Sequence, residues 1–432
     1  MKKALSILLI LALICVPLAA CAGDTTPPPS GGDTPATGDT PETGDTPATD
    51  DTPPAGGDIR DVTLTLWGGE FDQDMLRDMA DAFIAHYANE ANITVNIGVE
   101  SESSAKDTIL TDPQAAADVF ATVDDQLMEL YNAGALQEVA ENVDAIRAAN
   151  LELSVNAATI NGKLMAYPMT SDNGHILFFN KEFISAEEVG SWDSMLEVAA
   201  GLGKQVSMDL GNGWWNVGFF RGAGIDFWLG DDGVSTETNL GTESNAVNVI
   251  EAMIELATNP AFISLGGDES FAGMQDGSII AVIDGPWRTD ALTEALGENF
   301  GAAKLPTFNM GGSQVQMGGV LGSKLVGVNR FSEEAGWAMR LADWITNEPN
   351  QALRFEVRKQ GPSNIVVANS AEVAADITLG AIAIQARFSA SFIPGGNYWG
   401  PSGALAEIIA QGNPSNTPIQ ELIDNAVEGM TQ

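Results

Sequence analysis

Aromatic side chains set beside hydrogen-bonding groups are the chemistry this sequence offers. Trp214, Trp215, Trp287, Tyr398 and Trp399 stand next to Gly, Pro or Asn, in loop-like surroundings that leave an aromatic face open to a ligand. A pyranose ring stacks its apolar C–H face on an aromatic plane, and its hydroxyls need acceptors and donors such as Asp, Glu, Asn and Arg. The combination suits a sugar site. Packing under a loop competes with this role for Trp214 and Trp215, since large aromatic side chains are well buried on average. It competes less for Trp287, which follows Gly-Pro at the end of a strand pattern.

Other chemistries are poorly supplied. Cys15 and Cys21 lie in or at the edge of the N-terminal apolar region, so the body has no thiol for a disulfide, a nucleophile or a zinc–thiolate centre. His86 and His175 are the only histidines, and a Ser-His-Asp hydrolase would have to use one of them. No EF-hand spacing occurs, and neither a metal nor a cofactor is expected. The formal charge of −40 and pI near 4.1 repel nucleic acid and anionic membrane surfaces. The 59 acidic residues are spread along the chain, so a lone carboxylate is first of all a solvated surface charge.

The elements that position these residues begin with an export signal. Lys2 and Lys3, an apolar run over residues 4–16 and Leu18-Ala19-Ala20-Cys21 have the parts of a secretory signal peptide, predicted over residues 1–20. Leu-Ala-Ala-Cys resembles the lipobox of bacterial lipoproteins, which implies that Cys21 becomes the first residue and carries a diacylglyceryl group. Residues 31–57 are a near-repeat of Gly, Asp, Thr and Pro that cannot bury a core, so residues 21–57 read as a lipidated Cys and a disordered spacer.

The body is α/β. Residues 62–67 alternate like a strand, Leu76, Met79, Ala80, Phe83 and Ile84 fall on one helix face, and residues 93–99 alternate again. This order calls for a parallel pair joined by a right-handed crossover. Strands are predicted near residues 118–123, 164–167, 175–179, 278–283 and 324–328. Helices are predicted near 125–132, 191–202, 245–258, 349–358, 371–389, 402–410 and 418–430. Ser332 is a suitable N-cap for a helix over 333–345, with Glu333 and Glu334 favouring its dipole. Strands early and helices late suggest lobes that exchange chain segments, predicted as 58–170 plus 318–372 and 171–317 plus 373–432.

Several longer motifs carry a family resemblance. Asn161-Gly162-Lys163-Leu164-Met165-Ala166-Tyr167-Pro168, then Phe179-Asn180-Lys181, is similar to the Asn-Gly-Lys-x-x-Ala-Tyr-Pro and Tyr-Asn-Lys elements of the extracellular solute-binding proteins of ABC importers, most closely the maltose/maltodextrin-binding branch. Ile283-Asp284-Gly285-Pro286-Trp287 resembles its Asn-Gly-Pro-Trp segment, and Leu305-Pro306-Thr307-Phe308 with Gly318-Gly319-Val320-Leu321 matches the family's next segment. The resemblance implies a type II two-lobe fold with a hinge, an oligosaccharide in the cleft and permease subunits that recognise the closed form. A monomer tethered to the outer face of the cell membrane is expected.

By the same resemblance, Glu70 and Asp72 occupy a loop of polar sugar contacts, and Asp125 aligns with a hydroxyl-binding carboxylate, with Asp124 the close alternative. Asp172 or Asn173 falls where the family has an acidic ligand contact, and Trp287 where it has a stacking residue. Three positions depart from the maltodextrin pattern. Thr122 replaces a stacking tryptophan, Gln126 an arginine and Phe71 a lysine; the resemblance implies an oligosaccharide or disaccharide ligand and favours an α-glucan, and these three changes leave the sugar unfixed. Two other functions compete: a secreted glycosidase with two carboxylates across the cleft, which would release monosaccharide at a catalytic rate, and a polyamine or cation receptor, motivated by the charge.

Overall fold

The structure is a computed structural model that describes residues 59–431. The signal peptide, Cys21 and spacer expectations lie outside the described residues.

The first lobe is built on a five-stranded sheet in the order Ala91–Val99, Arg60–Gly68, Val119–Val123, Lys324–Val328, Tyr167–Pro168. Arg60–Gly68 runs parallel to Ala91–Val99 over its whole length, from Arg60 opposite Ala91 to Gly68 opposite Val99. The crossover between them is the helix Gln73–His86, which buries Met75, Leu76, Met79, Ala80 and Phe83. Met75, Leu76, Met79 and Phe83 meet Val62, Leu64 and Leu66 of the strand in one core. Lys324–Val328 enters antiparallel between Val119–Val123 and Tyr167–Pro168.

The second lobe has its own five-stranded sheet, ordered Phe262–Ser264, Gln205–Met208, Ile279–Asp284, Ile176–Asn180, Phe300–Ala303. All six residues of Ile279–Asp284 are buried, as a strand covered on both faces requires. Ala246–Ala257, Trp399–Ala410 and Ile419–Thr431 pack together on this lobe. Their Val249, Met253, Leu405, Ile409, Leu422 and Ile423 share a core with the strands.

Among the described residues, three crossings connect the lobes. Two of them, Asn173–Gly174 and Gly319–Gly322, pair antiparallel with Leu321 opposite Gly174. A Cβ at Gly174 would lie 2.4 Å from the Val320 carbonyl oxygen, so only glycine permits this approach. The third runs from the helix Glu348–Arg358, packed on the first lobe, to Ile377–Gln385, packed on the second.

Two helix expectations need correction. The helix after Ser332 is Ala335–Ile345, capped by Glu334 without a side-chain hydrogen bond. Ser332 instead donates its hydroxyl to Asp118 (2.6 Å) and accepts from the Glu334 N–H (3.2 Å). The helix expected over 371–389 is broken into Ala371–Ala374, Ile377–Gln385 and a short turn, because Asp376 accepts from the N–H groups of Thr378 and Leu379 and starts a new helix.

Candidate ligand-binding cleft

A cavity of 560 Å³ lies between the lobes and is lined by residues of both sheets' loops. Its second-lobe wall is aromatic. Trp214 and Trp215 stand in the first turn of the helix Gly213–Gly222, capped by Asn212, whose side chain accepts from the Trp214 N–H at 3.0 Å. The two rings are 4.7 Å apart between centroids, and Trp287 lies 6.0 and 6.1 Å from them. Trp399, which begins the helix Trp399–Ala410, also lines the cavity.

Trp287 is held by its neighbour. It sits in the short turn Pro286–Arg288 after the strand Ile279–Asp284, and its indole folds back over Gly285. A Cβ at Gly285 would lie 2.1 Å from that ring. Behind the wall, the His175 ring is 4.2 Å from Trp214 and 5.0 Å from Trp215. Burial, then the Arg221 charge, lowers its pKa to about 3, so the imidazole is neutral and serves as a packing ring.

The opposite wall is polar. Asp124 and Asp125 begin the turn Asp124–Gln126 at the end of Val119–Val123. Asp124 turns inward and accepts from the Ser323 N–H at 2.9 Å, with its pKa raised to about 7 by burial. Asp125 lines the cavity with Oδ1 lacking a hydrogen-bond partner; burial, then the Asp124 charge, pushes this carboxyl well above the usual range. Gln126 donates its Nε2 to the Ser103 carbonyl at 2.8 Å and leaves Oε1 unpartnered. Buried acceptors without partners are costly, and ligand hydroxyls would satisfy them.

Among the described residues, every cation on the cavity wall already has a carboxylate partner. Lys324 lies 3.2 Å from Glu102, and Arg288 lies 2.8 Å from Asp268 and 3.8 Å from Asp284. Arg358 donates its Nε to Asp72 at 2.9 Å and bonds Asp290 of the second lobe through Nη1. Arg354 reaches the other Asp72 oxygen at 2.5 Å. Burial alone would raise the Asp72 pKa, but Arg354, Lys324 and Arg358 outweigh it and hold it at about 2. Among the described residues, no cluster of His, Cys, Asp and Glu could hold a metal ion.

The cavity gathers Glu70, Asp72, Asp125, Trp214, Trp215, Trp287 and Trp399 of the residues expected from sequence. Asp72 contributes as the neutralised centre of an arginine pair rather than as a free carboxylate. Two expectations are corrected. Asp172 is buried behind the wall, accepting from the Gly361 N–H at 2.5 Å, and its neighbour Asn173 lines the cavity. Tyr398 is fully buried among Phe227 and Phe392, with its hydroxyl donated to the Gly213 carbonyl at 2.9 Å, so it supports the tryptophan helix from behind and does not line the cleft. Trp214 and Trp215 are helical rather than loop residues. Sequence reasoning missed Glu102, Lys324, Arg358 and Gln360; the i, i+4 spacing of Arg354 and Arg358 was the one available signal.

Two α/β lobes around a cleft of this kind define a solute-binding protein. A sequence profile of the bacterial extracellular solute-binding proteins matches residues 81–381, and the chain belongs to that family, whose members bind substrates and are not enzymes. Over 374 residues it is 23% identical to the galactooligosaccharide-binding protein of Bacillus subtilis (strain 168), covering 83% of this chain and 86% of that one. It is 23% identical over 328 residues to a maltooligosaccharide ABC transporter solute-binding lipoprotein of Streptococcus pneumoniae serotype 4, covering 72% and 74%. A solved structure with acarbose is 29% identical, with a TM-score of 0.78 over 86% of this chain and 99% of that one.

Proposed function

We propose that this protein captures an extracellular oligosaccharide of the maltose/maltodextrin type by closing its two lobes and delivers it to the membrane subunits of an ABC importer. One arrangement carries this reading: four tryptophans on one wall stand across the cavity from Asp125, whose buried Oδ1 has no hydrogen-bond partner, while the cations described on the cleft wall are neutralised. Stacking faces and hydroxyl acceptors suit a neutral polyol, and a wall whose cations are already paired does not call for an anionic ligand. The relatives that bind maltooligosaccharide and galactooligosaccharide, and the structure with acarbose, support the same ligand class.

The ligand contacts are Glu70, Asp125, Trp214, Trp215, Trp287 and Trp399, with Asn173 in the place first expected of Asp172. The lobes are 58–170 plus 318–372 and 171–317 plus 373–432. The protein acts as a monomer on the outer face of the cell membrane, anchored through lipid on Cys21; a relative that is a lipoprotein supports the anchor. Calorimetric titration with maltose, maltotriose and galactotriose tests the ligand class. A Kd on the order of micromolar, about −8 kcal/mol, is expected for the preferred sugar. Binding of a polyamine and of no sugar would overturn it.

A further inference from the structure

We propose that Phe71 is a ligand platform on the lobe opposite the tryptophans and sets a preference for chains longer than a disaccharide, an inference that rests on the oligosaccharide reading. Phe71 lies in the short turn Glu70–Asp72 that follows the strand Arg60–Gly68, and it lines the cavity. It is 64% exposed, more than any other large apolar side chain among the described residues. An exposed phenyl on a cavity wall forgoes stabilisation that a ligand can supply by covering it.

The ring is built as a platform. One face is occupied by the Arg358 guanidinium, 5.5 Å from the ring centre. That guanidinium is itself buried and pinned between Asp72 and Asp290, so the backing is anchored on both lobes. The remaining surface is largely open, and Glu70 of the same turn also lines the cavity. An aromatic plane and a carboxylate on one cavity wall supply the stacking surface and the hydroxyl acceptor that a sugar ring requires.

Position explains the length preference. Trp214, Trp215 and Trp287 are only partly exposed, whereas Phe71 is mostly exposed, so the tryptophans are the more sheltered surfaces of the cavity and Phe71 the one nearer solvent. A short ligand gains most by covering the sheltered tryptophans, and added rings would extend toward Phe71.

The test is calorimetric titration of wild type, Phe71→Ala and Phe71→Tyr with maltose, maltotriose and maltotetraose. Phe71→Ala should weaken maltotetraose by roughly tenfold and maltose by distinctly less, the loss growing with chain length. Phe71→Tyr should recover most of it, since tyrosine keeps the ring. The melting temperature should stay at the wild-type value, because the side chain is exposed. An equal loss at every length, or none, would overturn the proposal. Unchanged affinity with impaired uptake in cells would also overturn it and assign Phe71 to contact with the permease. Failure of wild type to bind any of the three sugars would instead strike the proposed function.

Discussion

The ammonium of Lys324 lies 5.2 Å from the centre of the Trp287 ring, a contact that reaches from the sheet of one lobe to the aromatic wall of the other. Glu102 holds the same ammonium at 3.2 Å. A desolvated cation over an indole face is worth about 2 kcal/mol, and this one exists only while the lobes face each other.

Replacing Trp287 with Ala therefore removes a stacking surface and an interlobe contact together. Ligand affinity should fall by roughly 1 to 3 kcal/mol, read by calorimetry. Gly285→Ala should weaken binding in the same direction while the indole is still present, since a methyl group at Gly285 would displace the ring. Unaltered affinity in both variants would contradict the stacking role.

The Arg358–Asp290 pair should also favour closure. In Asp290→Asn, Arg358 keeps its bond to Asp72 but loses an ionic partner across the cleft. The free protein should show a larger radius of gyration by small-angle scattering, and ligand affinity should drop by roughly three- to thirtyfold. An unchanged scattering profile would mean that the pair does not hold the lobes.

The buried carboxyls give stability a defined pH dependence. Asp124, at about 7, and Asp284, at about 6, are both raised by burial above the ordinary value of 3.8. Between pH 4 and 7 the folded chain therefore holds protons that the unfolded chain has released, so these groups lower stability as pH rises through that window. Asp72, at about 2, acts oppositely, and its contribution is lost only as pH falls below 4. Asp124→Asn should flatten the decline in melting temperature between pH 4 and 7, measured by calorimetry across buffers. A slope identical to wild type would place the titration elsewhere.

Cys21→Ser should move the protein from the membrane fraction to the soluble extracellular fraction with ligand affinity intact. Retention on the membrane, followed by immunoblotting of the fractions, would argue against the lipid anchor.

How far the site was legible in sequence is shown by three pairs of neighbours. In Asp124-Asp125, Asp172-Asn173 and Tyr398-Trp399, one member builds the frame and the other lines the cavity. Motifs locate such a pair, but the phase of the backbone decides which member turns inward. Arg60–Gly68 was readable because its alternation is local, and Lys324–Val328, buried at every position, because it is a short apolar run. The helix Gly213–Gly222 was not, because its apolar residues and glycines give no polar face to read. The guanidinium partners of Asp72 lie 282 and 286 residues along the chain, a distance that no local pattern spans.

The placement of Lys324–Val328 between Val119–Val123 and Tyr167–Pro168 also bears on biosynthesis. A chain made from its N-terminus lacks this inner strand until the whole sheet of the second lobe has been synthesised. The earliest segments therefore wait, unable to complete their hydrogen-bond ladder. The first lobe can thus finish folding only after synthesis has passed Val328.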